Sequence, residues 1–227
     1  MPDVQGAEPS PVYLESGRKR VFACALDWPG WCRSGRDEAT ALGALAVAAP
    51  RYSIVAEEAG VAFPAETADA FEVVERLAGS ATTDFGAPAE VATRDMEPLT
   101  LDDAERLAAL VAACWVFFDR VVSRAPAALS KGPRGGGRDR DAMVEHVLGA
   151  EVAYARKIGI RQREPALADS AAISTLRSAI LEGLRTARDG TPVVEKGWPV
   201  RYAARRIAWH VLDHAWEIED RSPQRRG

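Results

Sequence analysis

Hydrophobic positions in this chain change their spacing partway along. From Val12 to Glu15 and from Val21 to Asp27 they form short β-prone stretches separated by SGRKR. The alternation in VFACALDW suits a half-buried strand. Pro29-Gly30 signals a turn, and Trp31-Cys32-Arg33 predicts a third short strand. Ser34 with Asp37 has the form of a capping box. The helix it opens runs through ATALGALAVAA and is expected to stop before Pro50, because a residue preceding proline disfavours the helical conformation. A second helix over Arg51 to Ala59 is ended by Gly60, and Phe71 to Val74 reads as a further strand. Residues 1–10 read as a flexible tail, 11–78 as a small α+β unit, and the turn-rich stretch 79–97 as a linker.

Beyond residue 97 the apolar period lengthens to that of a helix. Thr100 with Asp103 opens the first of four helices, whose stripe is Leu107, Val111, Cys114, Phe118 and Val121. Ala125-Pro126 ends it, and the loop SKGPRGGGRDR follows. Asp141 caps a second helix that stops at Gly159. Asp169 or Ser170 caps a third, with Ile173, Leu176, Ile180, Leu184 and Ala187 inward and Gly190 after its end. Pro199 opens the last helix, where proline is tolerated in the first turn. Its stripe is Val200, Ala204, Ile207, Val211, Ala215 and Ile218. Four helices with short-to-moderate connections predict a four-helix bundle over 98–221, followed by a tail at 222–227.

Composition narrows the function classes. The chain has 227 residues, is 47% hydrophobic and 27% charged, and carries a net charge of −4. These values fit a globular protein and argue against nucleic acid as a main partner. No secretory signal pattern opens the chain and no uninterrupted apolar run reaches the length of a membrane span, so a cytoplasmic protein without a membrane partner is expected. The three cysteines, Cys24, Cys32 and Cys114, form no CxxC motif and read as small apolar fillers.

The chemistry concentrates on histidine. The chain has only three, and two of them, His210 and His214, lie four apart on the last helix. That spacing puts both imidazoles on one face, one turn above the other. The third, His146, lies on the second helix among Ala142, Gly149, Ala150 and Ala153, small residues that leave room beside it. If these helices adjoin, the three imidazoles can bind one divalent metal ion and leave a position open. Such a ligand set suits zinc, nickel, iron(II) or copper about equally well, and zinc or nickel is the ion expected first, with iron next. Asp213 and Glu217, close by on the last helix, are candidates to orient an imidazole or to act as catalytic acid or base. Trp209 and Trp216 flank the histidines closely enough to wall a pocket, and Arg138 and Arg140 would border it. Arg205 and Arg206 read as a solvated helix face. The alternative is that the histidines are ordinary hydrogen-bonded residues.

With MVEHVLGAE and WHVLDHAWE in view, the stretch 98–221 resembles the DinB-like superfamily, also called YfiT-like. The resemblance implies a four-helix bundle in which His146, His210 and His214 bind a divalent metal. It also implies a metal-dependent transferase or hydrolase, with a small-molecule substrate and a low-molecular-weight thiol as co-substrate. The chain departs from the iron-binding sulfoxide synthases of that superfamily, because its acid follows the last histidine by three residues instead of two. The segment FACALDWPGWCRSGRDEATAL looks like the HicB-like fold, which implies a recognition or dimerisation unit and a homodimer. On that footing the competing expectation is a non-catalytic binding or regulatory module, with any metal structural or vestigial.

Overall fold

The computed structural model describes residues 9–64, 70–132, 137–186 and 188–223. In chain order these hold β1 (Ser10–Ser16), β2 (Val21–Ala25), β3 (Cys32–Gly35), α1 (Glu38–Glu58), β4 (Phe71–Ala78) and α2 (Ala81–Phe85). A 3-10 turn (Thr93–Met96) then leads to α3 (Leu101–Arg124), α4 (Arg140–Lys157), α5 (Ser170–Leu184) and α6 (Val200–Arg221). The architecture is mixed α+β: a four-stranded sheet near the N-terminus, then mainly helices, six in all among the described residues.

The sheet runs in the order β3-β2-β1-β4. β1 pairs antiparallel with β2 and parallel with β4, and β2 pairs antiparallel with β3. Successive strand side chains point to opposite faces, and both faces are covered. Val12, Leu14, Val21 and Ala23 join Leu45, Tyr52 and Val55 of α1 in the main core. Tyr13, Phe22, Cys24 and Cys32 form a second cluster with Ala92 and with Trp209 of α6. Trp28 to Trp31 is a tight turn closed by the Trp31 amide donating to the Trp28 carbonyl at 3.0 Å. Proline second and Gly30 third, at φ +92°, suit a type II turn. A Cβ on Gly30 would lie 2.7 Å from Leu212 and 3.2 Å from Ala208, so this turn sits directly on α6.

Several expectations are corrected. α1 is one continuous helix through Pro50, not two. An interior proline costs roughly 3 kcal/mol. Burial of Leu45, Ala48 and Ala49 before it and of Tyr52, Val55 and Ala56 after it, along one face, offsets that cost. The helix is capped by Asp37 rather than Ser34, which belongs to β3. Asp37 accepts from the Thr40 amide at 2.8 Å and its own amide donates to the Thr40 hydroxyl at 3.1 Å. β4 continues to Ala78, and α4 is capped at Asp139, with Asp141 inside its first turn. Residue Ser10, expected in the tail, is a buried residue of β1. Ala187 lies outside the described residues. α1 is also long and apolar enough, by length and composition, to cross a membrane, although its buried residues face the sheet and α3.

The stretch expected as a linker is packed. Buried Glu15 accepts from the Thr83 hydroxyl and from the amides of Ala89 and Glu90, which fixes the path of 79–92 along β1. Asp95, in the 3-10 turn, forms a buried ion pair with Arg205 of α6. Arg205 also donates to the Tyr13 hydroxyl at 3.0 Å, so it is a buried tie between α6 and the sheet, not a solvated residue. Arg206 donates to the Pro88 carbonyl and lies over Trp209.

α3 packs on α6 and α5, and α4 packs on the same two. The expected stripe residues of α3 are all buried, as are Leu176, Ile180 and Leu184 of α5 and the whole stripe of α6. Asp169 caps α5 through the Ala172 amide at 2.9 Å. One apolar core runs without interruption from the sheet through α1 into α3–α6.

Candidate metal centre

α6 presents different residues to different neighbours because its side chains repeat every 3.6 positions. Ile207, Val211, Ala215 and Ile218 enter the core. His210 and His214 lie one turn apart facing α4. α4 contributes His146. The His146 and His210 Nε2 atoms are 3.2 Å apart. Ring centroids lie 5.0 Å apart for His146 and His210, 4.9 Å for His146 and His214, and 4.6 Å for His210 and His214. One ligand atom from each of the three falls within 4.8 Å of the others. The expected convergence of imidazoles from two helices is therefore present.

The donor set suits a cation. Two nitrogens bound to one zinc at about 2.0–2.1 Å in tetrahedral geometry would stand about 3.3 Å apart, close to the observed 3.2 Å. In the bare protein that contact is a hydrogen bond between two imidazoles, one nitrogen donating. Burial, then the positive charges that His214 and Arg138 would place nearby, lowers the His146 pKa to about 4. Burial, then His214 and His146, holds His210 well below its ordinary value. Both rings are thus neutral at pH 7 with a lone pair to give, the state a metal ligand needs.

Glu217 supports the cluster from behind. Its carboxylate lies 3.2 Å from His214 Nδ1 and accepts from Arg221 at 2.8 Å. The hydrogen bond with His214 is the main cause of its lowered pKa. A proton on Nδ1 shared with this carboxylate leaves Nε2 of His214 as the lone-pair nitrogen. Arg221 is itself fixed, donating from Nε to the Ser130 carbonyl at 2.8 Å, while the Ser130 amide donates to the Arg221 carbonyl at 2.9 Å. Asp213 turns elsewhere: it pairs with Arg33 of β3 at 3.3 Å. A cleft of about 560 Å³ adjoins Glu217, lined by Arg33, Lys131, Asp213, Asp220 and Arg221 among others.

Of the flanking residues, Trp209 lies beside His210, with ring centroids 6.0 Å apart. Trp216 instead sits under Arg33 and Arg51. Arg138 is close enough to depress both His146 and His210, whereas Arg140 turns away to the Ala125 carbonyl. Residues 133–136 of the glycine-rich loop lie outside the described residues. Gly149 faces Glu164, so part of the room left by the small residues of α4 is taken by that carboxylate.

Three residues were not singled out from sequence. Tyr154 stands edge-on to His210 at 5.6 Å, and it lies two turns along α4 from His146, a spacing that could have been read. Arg221 follows Glu217 by four, an ordinary helix ion-pair spacing. Arg33 is 180 residues from Asp213 and left no local signal. Comparison with protein-family models, with curated proteins and with solved structures finds no match.

Proposed function

We propose that His146, His210 and His214 together hold one divalent metal ion within a four-helix bundle of DinB-like type formed by α3, α4, α5 and α6. On this reading the protein is a metal-dependent enzyme of the thiol-transferase or hydrolase kind, acting on a small electrophile. The observation that carries it is the meeting of three imidazoles from two helices, with ligand atoms within 4.8 Å of one another. Three protein ligands leave a coordination position open, the arrangement of catalytic rather than structural sites. Imidazole donors suit zinc, nickel, iron and copper, and zinc or nickel is the ion proposed first.

Bound there, the ion would supply Lewis acidity and favour the deprotonated form of a thiol or water at neutral pH. The chain's own residues do the rest. Glu217, held by Arg221, fixes the His214 tautomer, and it also lines the cleft, where its carboxylate could take or return a proton. Tyr154 and Trp209 limit water around His210. Arg33 holds Asp213 at the cleft wall, turned from the imidazoles.

A second reading makes the chain a non-catalytic binding module with a HicB-like front unit and a structural or vestigial metal site. The burial of His210, only 7% exposed, favours it. Purified without a histidine tag, the protein is expected to carry about one divalent ion per chain by elemental mass spectrometry, and His210→Ala is expected to lose it. A chain that binds no divalent ion on titration would overturn the first reading and leave the second with a vestigial site. Stoichiometric metal without turnover across thiol–electrophile and hydrolytic substrates would leave the second.

A further inference from the structure

The pairing of β2 with β3 places Cys24 directly opposite Cys32. One rung further along, the Ala25 amide donates to the Trp31 carbonyl at 3.0 Å. Antiparallel ladders alternate, so the cysteines form a non-hydrogen-bonded pair. Such pairs bring Cα atoms to about 4.5 Å, within the range of about 4.4–6.8 Å that a disulfide spans. Both side chains lie on the same sheet face, among Tyr13, Phe22 and Trp209. Sequence spacing concealed this, since no CxxC motif links them. Both thiols are free and buried. β3 is a four-residue edge strand, the kind of element that opens locally while the rest stays folded.

We propose that Cys24 and Cys32 are a reversible dithiol–disulfide pair, oxidised by small-molecule disulfides, that locks edge strand β3 onto β2. When β3 opens, the thiolate of one cysteine attacks the small disulfide, forms a mixed disulfide and releases one small thiol. The partner cysteine, losing its proton, then attacks the protein sulfur of that mixed bond and releases the second small thiol. The two protein thiols give up two electrons and two protons, and the small disulfide takes up both. Burial raises the Cys32 pKa, so the closed strand reacts slowly and opening sets the rate. The lock has a target: Arg33, the next residue along β3, holds Asp213 on α6. Oxidation thus fixes a strand that reaches the histidine helix. The inference does not depend on metal binding.

The test uses the reduced full-length chain, equilibrated with stepped ratios of oxidised to reduced glutathione. Expected is a fall from three titratable thiols to one, loss of the mass of two hydrogens, and a non-reduced peptide joining Cys24 to Cys32. Dithiothreitol should restore all three thiols. Cys114→Ser should still lose two thiols, and Cys32→Ser should stop at a single glutathione adduct. Three thiols at every ratio, or stable adducts or intermolecular bonds in the wild type, would overturn the proposal. In the wild type, amide exchange at Arg33 and Ser34 should slow several-fold on oxidation; unchanged exchange would refute the lock.

Discussion

Single side chains decide whether the histidine cluster can work as a ligand set. Glu217 touches His214 but sits one shell away from any ion. Removing such an outer partner commonly costs about 10–100-fold in metal affinity. Glu217→Ala should therefore weaken binding by that factor in a chelator-competition titration while leaving the folded structure intact. Protonation acts at the same scale. Without metal, the depressed pKa of His146, about 4 against an ordinary 6.5, means the unfolded chain takes up a proton that the folded chain refuses. The His146 contribution to the stability of the metal-free protein should thus fall as pH drops from about 6.5 to about 4 and be constant below that. Urea midpoints across this window, compared with His146→Ala, separate the histidine contribution from that of carboxylates. The histidine cluster was legible in the sequence because histidine is so rare in it and two lie four apart. Tyr154 was legible in principle, and Arg33 was not, since only the tertiary fold brings β3 to α6.

Elements followed their local patterns where burial agreed with them and departed where packing overrode them. The stripes of α3, α5 and α6 were readable because each buries one face in a shared core. α1 was misread at Pro50 because a local steric rule was outweighed by a continuous buried face. Pro50→Ala restores the missing amide donor but also loosens the unfolded chain. A net gain of about 1–2 kcal/mol is expected, read from the urea midpoint. Arg205 was misread because a charged residue on an amphipathic helix ordinarily points to water. Here Asp95 neutralises it inside the protein. Arg205→Ala would strand that buried carboxylate and should cost about 3–5 kcal/mol, with Asp95→Asn partly restoring the loss in the double variant.

At the scale of the whole molecule, the sheet and the C-terminal helices are not separable in energy. Their shared core, the Glu15 contacts to 79–92 and the Asp95–Arg205 pair all cross the expected boundary. Thermal or urea unfolding should therefore be a single cooperative transition, with far-ultraviolet and tryptophan signals coinciding. Two resolved steps would show that the halves fold independently. The boundary was overread because a turn-rich composition at 79–97 carries no information about what those turns touch.

The turn at Gly30 carries this coupling furthest. A methyl group there would press on Leu212 and Ala208, the two positions that bracket His210. Gly30 therefore acts as a spacer of zero thickness, setting how closely the histidine helix approaches the hairpin. Thickening it by one carbon would wedge α6 toward α4 and change the bite of the imidazoles. A ligand set assembled near the C-terminus would then be detuned from residue 30, with none of its donors altered.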